Sequence, residues 1–473
     1  MKKRIVRSTL AIFLSSGIAR FIGFISYIIL ARLLFPSDFG VLALAWLFVN
    51  IFTTLFLGFR TSIIQSNEDN SMLFNIIFVL EPLLAGISII FIYFLASPIG
   101  TFFNSTLLTK ILPLLSLVLL ITSFDAAPSL KLEKELLFEK RVVPAIIREI
   151  LFPLVAIPLA LLGYGVWSLV YGVLVGSVAS LVCVWILAPW VPKLQFSGQI
   201  VRNVINKGLR YALVGYLLFL LINVDKGIIG KFAGSEMLGF YSIAFLLASI
   251  PVDGIAEVMG KVSLPALSQS LSQENKLRSI YERFLQLIVL FVLPFVVIVI
   301  PLAWEITFYF YTEKWLPMVR LLQILSIYGL FRAISVSYRD LLNAMGRPEL
   351  LIKLNLIQLA ILGGLSIPVI LNFGVIGLSV LWALTTGAVA IYLTYHVKKL
   401  LKLNLSHIYS SCIVAAVITM ILVVFLKEIG FIKNLFTLIF VIFIGGFVNG
   451  LFIIIQRPEL PRQYKSFLSS IWE

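Results

Sequence analysis

Residues 31–46 read ARLLFPSDFGVLALAW, and residues 230–245 read GKFAGSEMLGFYSIAF. Each stretch contains the end of one apolar run, a short turn and the start of the next apolar run. The two stretches lie 199 positions apart, a spacing that pairs Gly40 with Gly239. We therefore predict that one helix–turn–helix unit occurs twice in this chain.

The composition indicates a membrane protein. Of the 473 residues, 60% are hydrophobic and 12% are charged, whereas soluble proteins contain about 25% charged residues. A soluble chain could not cover so much apolar surface, which excludes soluble enzymes, disordered chains and disulfide scaffolds. Cys183 and Cys412 lie within apolar runs, and no HExxH, CxxC or phosphate-loop motif occurs. We expect no enzymatic activity, no catalytic residues, no metal site and no cofactor.

A helix needs about 20 apolar residues to span a bilayer. The chain contains fourteen such runs, near residues 8–34, 38–64, 72–97, 107–128, 142–163, 166–190, 208–232, 237–260, 283–303, 316–340, 350–371, 374–396, 408–427 and 434–455. The predicted fold class is therefore an all-α polytopic membrane protein with about 14 transmembrane helices.

Two further pairs of segments extend the repeat. The Leu-Pro pair at residues 112–113 recurs at residues 316–317, and GYGVWSL at residues 163–169 corresponds to NFGVIGL at residues 372–378. Because the order is preserved, we predict an N-lobe over 1–206 with helices 1–6 and a C-lobe over 207–404 with helices 7–12. Residues 405–473 would supply helices 13 and 14 and a cytoplasmic tail. Six is an even number, so the lobes are predicted to be parallel, with a pseudo-two-fold axis along the membrane normal.

The basic residues set the predicted topology. The chain has 37 Lys and Arg against 22 Asp and Glu, a net charge of +15. With a cytoplasmic N-terminus, 27 basic residues fall at cytoplasmic segments and helix ends, seven at outer ones and three within spans. This bias is a positive-inside signal with both termini cytoplasmic, and it argues against nucleic acid as a partner. The charged stretch SLKLEKELLFEKR at residues 129–141 is predicted to lie along the cytoplasmic interface.

The basic residues within spans are the candidate substrate-binding groups. Arg20 lies near the middle of the first span, with Tyr27 on the same helix face. A charge at that depth is costly, and arginine matches phosphate or carboxylate oxygens in a bidentate way. The predicted cationic cavity consists of Arg20, Tyr27, Asn223, Lys226, Arg332 and Arg339. The alternatives are that Arg20 pairs with an acidic residue and that Arg332 and Arg339 reach the membrane interface.

Acidic residues in the spans are candidates for coupling transport to an ion. They are Glu81, Asp125, Asp225, Asp253 and Glu257. The alternative for each is a structural ion pair, such as Glu257 with Lys261 or Asp225 with Lys226.

Longer stretches resemble a known family. They are ARLLFPSDFGVLALA with GFRTSIIQ at residues 58–65, GKFAGSEMLGFYSIAFLLASIP at residues 230–251, and residues 313–355, which include LLNAMGRPELLIKLN. Together they are similar to the O-antigen (Wzx-type) and capsule repeat-unit flippases of the multidrug/oligosaccharidyl-lipid/polysaccharide exporter superfamily. The resemblance extends to about residue 400.

This resemblance implies a fourteen-helix, two-lobed protein of the bacterial inner membrane. It implies translocation of undecaprenyl-pyrophosphate-linked oligosaccharide to the outer leaflet, with Arg20 matching the cavity arginines of related flippases. The implied partners are the polyprenyl-pyrophosphate-linked glycan, membrane lipid, and a polysaccharide polymerase with other assembly proteins. Three alternatives stay open: a peptidoglycan-precursor (lipid II) flippase, a multidrug/cation antiporter of the same superfamily, and a non-transporting scaffold of a polysaccharide assembly complex.

Overall fold

The computed structural model describes residues 2–66, 70–135, 137–193, 196–403, 405–456 and 458. Within these ranges the regular secondary structure is entirely helical. The chain forms two compact units, Met1–Gly239 and Phe240–Glu473. The predicted lobe boundaries after residues 206 and 404 stay predictions.

The first unit is built from eight helices and the start of a ninth. They are α1 Lys2–Leu33, α2 Pro36–Ile64, α3 Asn70–Phe102, α4 Thr106–Phe124, α5 Ala126–Lys134, α6 Phe138–Leu161, α7 Val166–Leu187, α8 Gly198–Phe232 and α9 Gly234–Pro251.

The second unit contains the rest of α9 and seven further helices. They are α10 Glu257–Gln269, α11 Glu274–Val299, α12 Ala303–Ile306, α13 Val319–Ala344, α14 Glu349–Leu401, α15 Leu405–Glu428 and α16 Leu435–Gln456. Two π-helical segments, Val252–Ala256 and Thr307–Tyr311, and the 3₁₀ segment Glu313–Met318 connect some of these helices.

Twelve helices in the described ranges are long and apolar enough to cross a membrane. The predicted all-α, multi-pass membrane fold is therefore confirmed, whereas the number fourteen stays a prediction. One of the twelve, α14, has 53 residues, more than twice the length that a bilayer needs. Gly374 interrupts it with φ 64° and ψ −161°, so it contains two helices at the positions of two predicted spans.

Side chains stabilise the N-terminal ends of two of these helices, α2 and α4. At α2, Pro36 occupies the first turn, where its missing N–H is not needed, and the Asp38 carboxylate accepts the Phe35 N–H at 2.9 Å. At α4, the Ser105 hydroxyl oxygen accepts the Leu108 N–H at 3.2 Å. Residues 35–38, FPSD, which belong to the first repeated stretch, thus form the turn between α1 and α2.

Small residues bring α2 close to α8 and to the start of α9. A Cβ atom on Gly58 would lie 2.5 Å from the Gly208 carbonyl oxygen. At the other end of α2, a Cβ on Gly40 would overlap the Ser235 carbonyl, and a Cβ on Gly239 would overlap the Pro36 carbonyl. Backbones can approach this closely only where no side chain intervenes.

Candidate functional site

Arg20 lies on α1, and its side chain is exposed. One turn further on, a Cβ at Gly23 would lie 3.2 Å from Oε2 of Glu149 on α6. The small residue on α1 therefore leaves room for this carboxylate. Among the described residues, no carboxylate forms an ion pair with Arg20.

Tyr27 supports this face of α1 and is partly buried. Its ring centroid lies 6.3 Å from that of Phe39 on α2 and 5.9 Å from that of Phe152 on α6. Tilted aromatic contacts of this kind fix a ring without occupying its hydroxyl. Tyr27 thus anchors α1 against two neighbours and lies within electrostatic range of Glu149 and Arg148.

Arg148 and Glu149 are members of this site that the sequence reasoning missed. Arg148 Nη2 lies 3.5 Å from Glu149 Oε1, and both side chains are partly exposed. They occur in the predicted span 142–163, near its cytoplasmic end, and the positive-inside count treats Arg148 only as a topological charge. The useful signal was an adjacent Arg and Glu inside an otherwise apolar run. We name Arg20, Gly23, Tyr27, Arg148 and Glu149 the Arg20 face.

A second charged cluster lies inside the first unit. Arg60 on α2 donates from Nη2 and Nε to the two oxygens of Glu81 on α3, at 2.7 and 2.9 Å. Its Nη2 also donates to the Thr122 carbonyl near the end of α4 at 2.8 Å, and its Nη1 lies 3.5 Å from Asp125 Oδ1. Glu81 is fully buried, whereas 20% of the Arg60 side chain is exposed. The structure thus joins two predicted coupling candidates, Glu81 and Asp125, through one arginine.

Arg60 itself was not predicted. It lies four positions before the end of the predicted second span, so the topology prediction counts it at a cytoplasmic helix end. Only the meeting of three helices reveals its partners. Because it holds Glu81 in a bidentate contact and caps α4, the cluster of Arg60, Glu81 and Asp125 has the geometry of a structural ion network.

The candidates on α8 contact one another within that helix. Lys226 Nζ donates to Asn223 Oδ1 at 2.9 Å, one turn earlier. Asp225 is buried, and its Oδ1 accepts the Lys226 backbone N–H at 2.8 Å. The structure therefore brings Asn223, Asp225 and Lys226 together on one helix.

In the second unit, the structure brings together Arg332 and Asp253. Arg332 Nη2 on α13 lies 3.7 Å from Asp253 Oδ1, and 49% of the Asp253 side chain is exposed. Asp253 lies in the π-helical segment Val252–Ala256, a kind of segment that is frequent at functional sites. Arg339 Nε lies 3.2 Å from its neighbour Asp340. Glu257 begins α10, and its side chain lies outside the described residues.

The intramembrane charges thus form two classes. Arg60 and Arg332 are neutralised by carboxylates of the same unit. Arg20 has no such partner among the described residues, and its side chain is exposed. Chemically, a guanidinium matches the oxygens of an anion such as phosphate or carboxylate.

A family model described as "Polysaccharide biosynthesis protein" matches residues 29–320 of the chain. The chain belongs to this family. The match begins nine residues after Arg20 and includes Tyr27's packing partners, the Arg60 cluster and the Lys226 region. The polysaccharide family that the sequence motifs indicated is therefore confirmed.

Two members with similar sequences have related descriptions. The teichuronic acid biosynthesis protein TuaB of Bacillus subtilis (strain 168) is 24% identical over 370 residues, covering 77% of this chain and 76% of TuaB. The succinoglycan biosynthesis transport protein ExoT of Rhizobium meliloti (strain 1021) is 27% identical over 258 residues, covering 54% of this chain and 51% of ExoT. Both descriptions concern the biosynthesis of a polysaccharide.

A solved structure shares the fold of this family member. The lipid II flippase MurJ in an inward closed conformation matches with a TM-score of 0.74 and 18% identity, covering 94% of this chain and 98% of MurJ. At this identity the similarity establishes the fold alone, which is that of a multi-pass helical membrane protein.

Proposed function

We propose that this protein is a flippase of the bacterial inner membrane. It moves undecaprenyl-pyrophosphate-linked oligosaccharide repeat units of O-antigen, capsule or exopolysaccharide from the cytoplasmic to the outer leaflet by alternating access. Family membership and the shared transporter fold support the general class. The observation that carries the assignment is Arg20, an exposed cation of α1 with no carboxylate partner among the described residues.

Arg20 would bind the pyrophosphate of the lipid-linked substrate. Pyrophosphate presents several anionic oxygens, and a guanidinium can donate two parallel hydrogen bonds to them. Arg148 adds a second cation beside Glu149, the residue whose carboxylate lies 3.2 Å from the position of a Cβ on Gly23. The sugars would then extend away from this face, and the polyprenyl chain would stay in lipid.

The membrane potential favours this direction of transport. A headgroup with two negative charges gains about 2.3 kcal/mol per charge for each 100 mV when it leaves an inside-negative compartment. Inward movement of a cation could add to this driving force. Asp253 is the best placed of the candidates for such a cation, because it is half exposed and its contact with Arg332 is long.

The proposal predicts that Arg20→Ala strongly reduces export. Losing a hydrogen bond to a charged group costs about 1.5–3 kcal/mol, so export should fall about ten- to hundredfold. Arg20→Lys should retain part of the activity, since it keeps the charge and loses the bidentate geometry. The measurement is surface polysaccharide in cells that lack the native gene and express each variant, normalised to protein in the membrane.

Lys110→Ala is the matched control, because Lys110 is exposed on α4 at the predicted outer side. It should export normally. Normal export by Arg20→Ala would contradict the binding assignment. Deletion of the gene should remove surface polysaccharide and leave cells viable. Arrest of cell-wall synthesis would instead indicate a peptidoglycan-precursor flippase.

A further inference from the structure

An apolar cleft opens on the first unit, away from the Arg20 face. It has a volume of about 550 Å³ and is lined by Phe78, Phe124, Leu181, Val182, Trp185 and Ile186. This volume falls within the range of ligand sites, about 300–1,000 Å³. Val182 and Ile186 are largely exposed, so the cleft is open on the side of α7. We name it the α7 cleft.

The walls of the α7 cleft are held by contacts among aromatic side chains. The Phe78 ring centroid lies 6.0 Å from Phe124, 6.0 Å from Trp185 and 5.5 Å from Trp190, each in an edge-on arrangement. Trp185 Nε1 donates to the Phe124 carbonyl oxygen at 3.0 Å. Because the indole N–H is satisfied and the rings support one another, the cleft is a preformed feature of the unit.

Cationic side chains lie where the cleft ends. Lys131 on α5 donates from Nζ to the Pro189 carbonyl at 3.2 Å, directly before Trp190. The next residue, Leu132, packs in one cluster with Val184 of α7. An ammonium has three donors, and the contact with Pro189 uses one of them. Lys131 is thus fixed beside the aromatic wall with donors available for a second acceptor.

Two further lysines, Lys193 and Lys134, are candidates for the same role. Lys193 is exposed, and its backbone N–H donates to Asn75 Oδ1 at 3.1 Å, which fixes the segment after Trp190. Lys134 is less suited to an anion, since its Nζ donates to the Ser66 carbonyl at 3.1 Å and burial lowers the pKa of its ammonium group. Of these lysines, Lys131 is the one whose contact with Pro189 holds its ammonium group beside the aromatic wall.

We propose that the α7 cleft binds an anionic glycerophospholipid of the cytoplasmic leaflet, with one acyl chain in the cleft and its phosphate on Lys131. The charge bias of the sequence assigns the ends of α5 and α7 to the cytoplasmic side. Basic pockets at the cytoplasmic ends of transmembrane helices bind anionic headgroups. The lining residues present hydrocarbon and ring surfaces without a polar group that would select a rare lipid, so the occupant is the abundant anionic species. This binding does not depend on the proposed transport activity.

The test uses native mass spectrometry of the full-length protein in detergent, with phosphatidylglycerol and phosphatidylcholine of identical acyl chains added separately. The native protein should retain phosphatidylglycerol in preference to phosphatidylcholine. Lys131→Gln should lower phosphatidylglycerol binding roughly fivefold, which corresponds to about 1 kcal/mol for one lysine near an anionic lipid. Lys140→Gln, an exposed lysine at the start of α6, is its control and should bind normally.

A second pair of variants tests the acyl-chain site independently. Val182→Trp should fill the cleft and reduce the binding of both lipids, whereas Val178→Trp, one turn earlier on the exposed side of α7, should not. Val182 is exposed, so the larger side chain does not disturb a packed core. Equal binding by the two Trp variants, or no preference for phosphatidylglycerol, would overturn the proposal. Displacement of phosphatidylglycerol by an equal concentration of undecaprenyl phosphate would overturn it in favour of the carrier lipid.

Discussion

Replacing Arg60 with Met should lower the free energy of unfolding by about 3–5 kcal/mol, because removing one partner of a buried ion pair leaves the other charge uncompensated. Glu81 is fully buried and receives two hydrogen bonds from Arg60. The variant also removes the donor to the Thr122 carbonyl. The expected result is a large drop in the apparent melting temperature of the detergent-purified protein. Intrinsic tryptophan fluorescence measures this temperature.

A double variant separates the loss of charge balance from the loss of contacts. Arg60→Met combined with Glu81→Met should recover most of the stability, since apolar replacements of a whole buried pair are often neutral. The control is Arg278→Met, which breaks a partly exposed pair with Glu282 within α11. That pair is worth about 0.3–0.5 kcal/mol. If Arg60→Met and Arg278→Met changed the melting temperature equally, the buried cluster would not stabilise the first unit.

Hydropathy predicted the helices well because a bilayer-length apolar run has few alternative structures. The predicted gap between residues 371 and 374 coincides with the break at Gly374, where φ is 64°. Glycine adopts this left-handed conformation at little cost, whereas other residues rarely do. The sequence therefore contained the information for both the apolar helices and the interruption between two of them.

Two predicted spans, which were given only approximately, differ in their ends from the corresponding helices, and the reason is physical. The predicted seventh span begins at residue 208, but α8 begins at Gly198. Its first ten residues include Arg202 and Asn203, so they do not add to an apolar run, yet they are compatible with a helix. The predicted eighth span extends to residue 260, whereas α9 ends at Pro251 and a π-helical segment follows. Hydropathy cannot distinguish a π-helical turn from an α-helical one.

Charged residues on one helix can be grouped from their spacing in the sequence, whereas charged residues on separate helices cannot. Arg20 and Tyr27 share a face of one helix, so their spacing alone placed them together. Arg60, Glu81 and Asp125 come from separate segments, and their convergence depends on how three helices pack. Counting Arg60 only as a topological charge therefore missed the residue that joins Glu81 and Asp125.

Replacing Gly40 or Gly239 with Ala is expected to destabilise the first unit by about 1–3 kcal/mol, the usual cost of overpacking. A Cβ on Gly40 would overlap the Ser235 carbonyl, and a Cβ on Gly239 would overlap the Pro36 carbonyl. Gly40 and Gly239 are 199 positions apart, as are Pro36 and Ser235. The contact of Gly40 with Ser235 in one repeat therefore corresponds to the contact of Gly239 with Pro36 in the other, as in an isologous interface. This local two-fold relation predicts similar decreases in melting temperature for both variants.

The double variant tests the relation most directly. Because both Cβ atoms would open the same contact, the backbone shift forced by one Ala should lower the cost of the second. The two decreases in free energy should therefore sum to more than the decrease in the double variant. Gly86→Ala on α3 is the control, since a Cβ there would meet no atom within 4 Å, and it should be neutral or gain up to about 1 kcal/mol from helix propensity. Fully additive effects would mean that the two glycines act at independent contacts, and the local two-fold relation would then have no energetic counterpart.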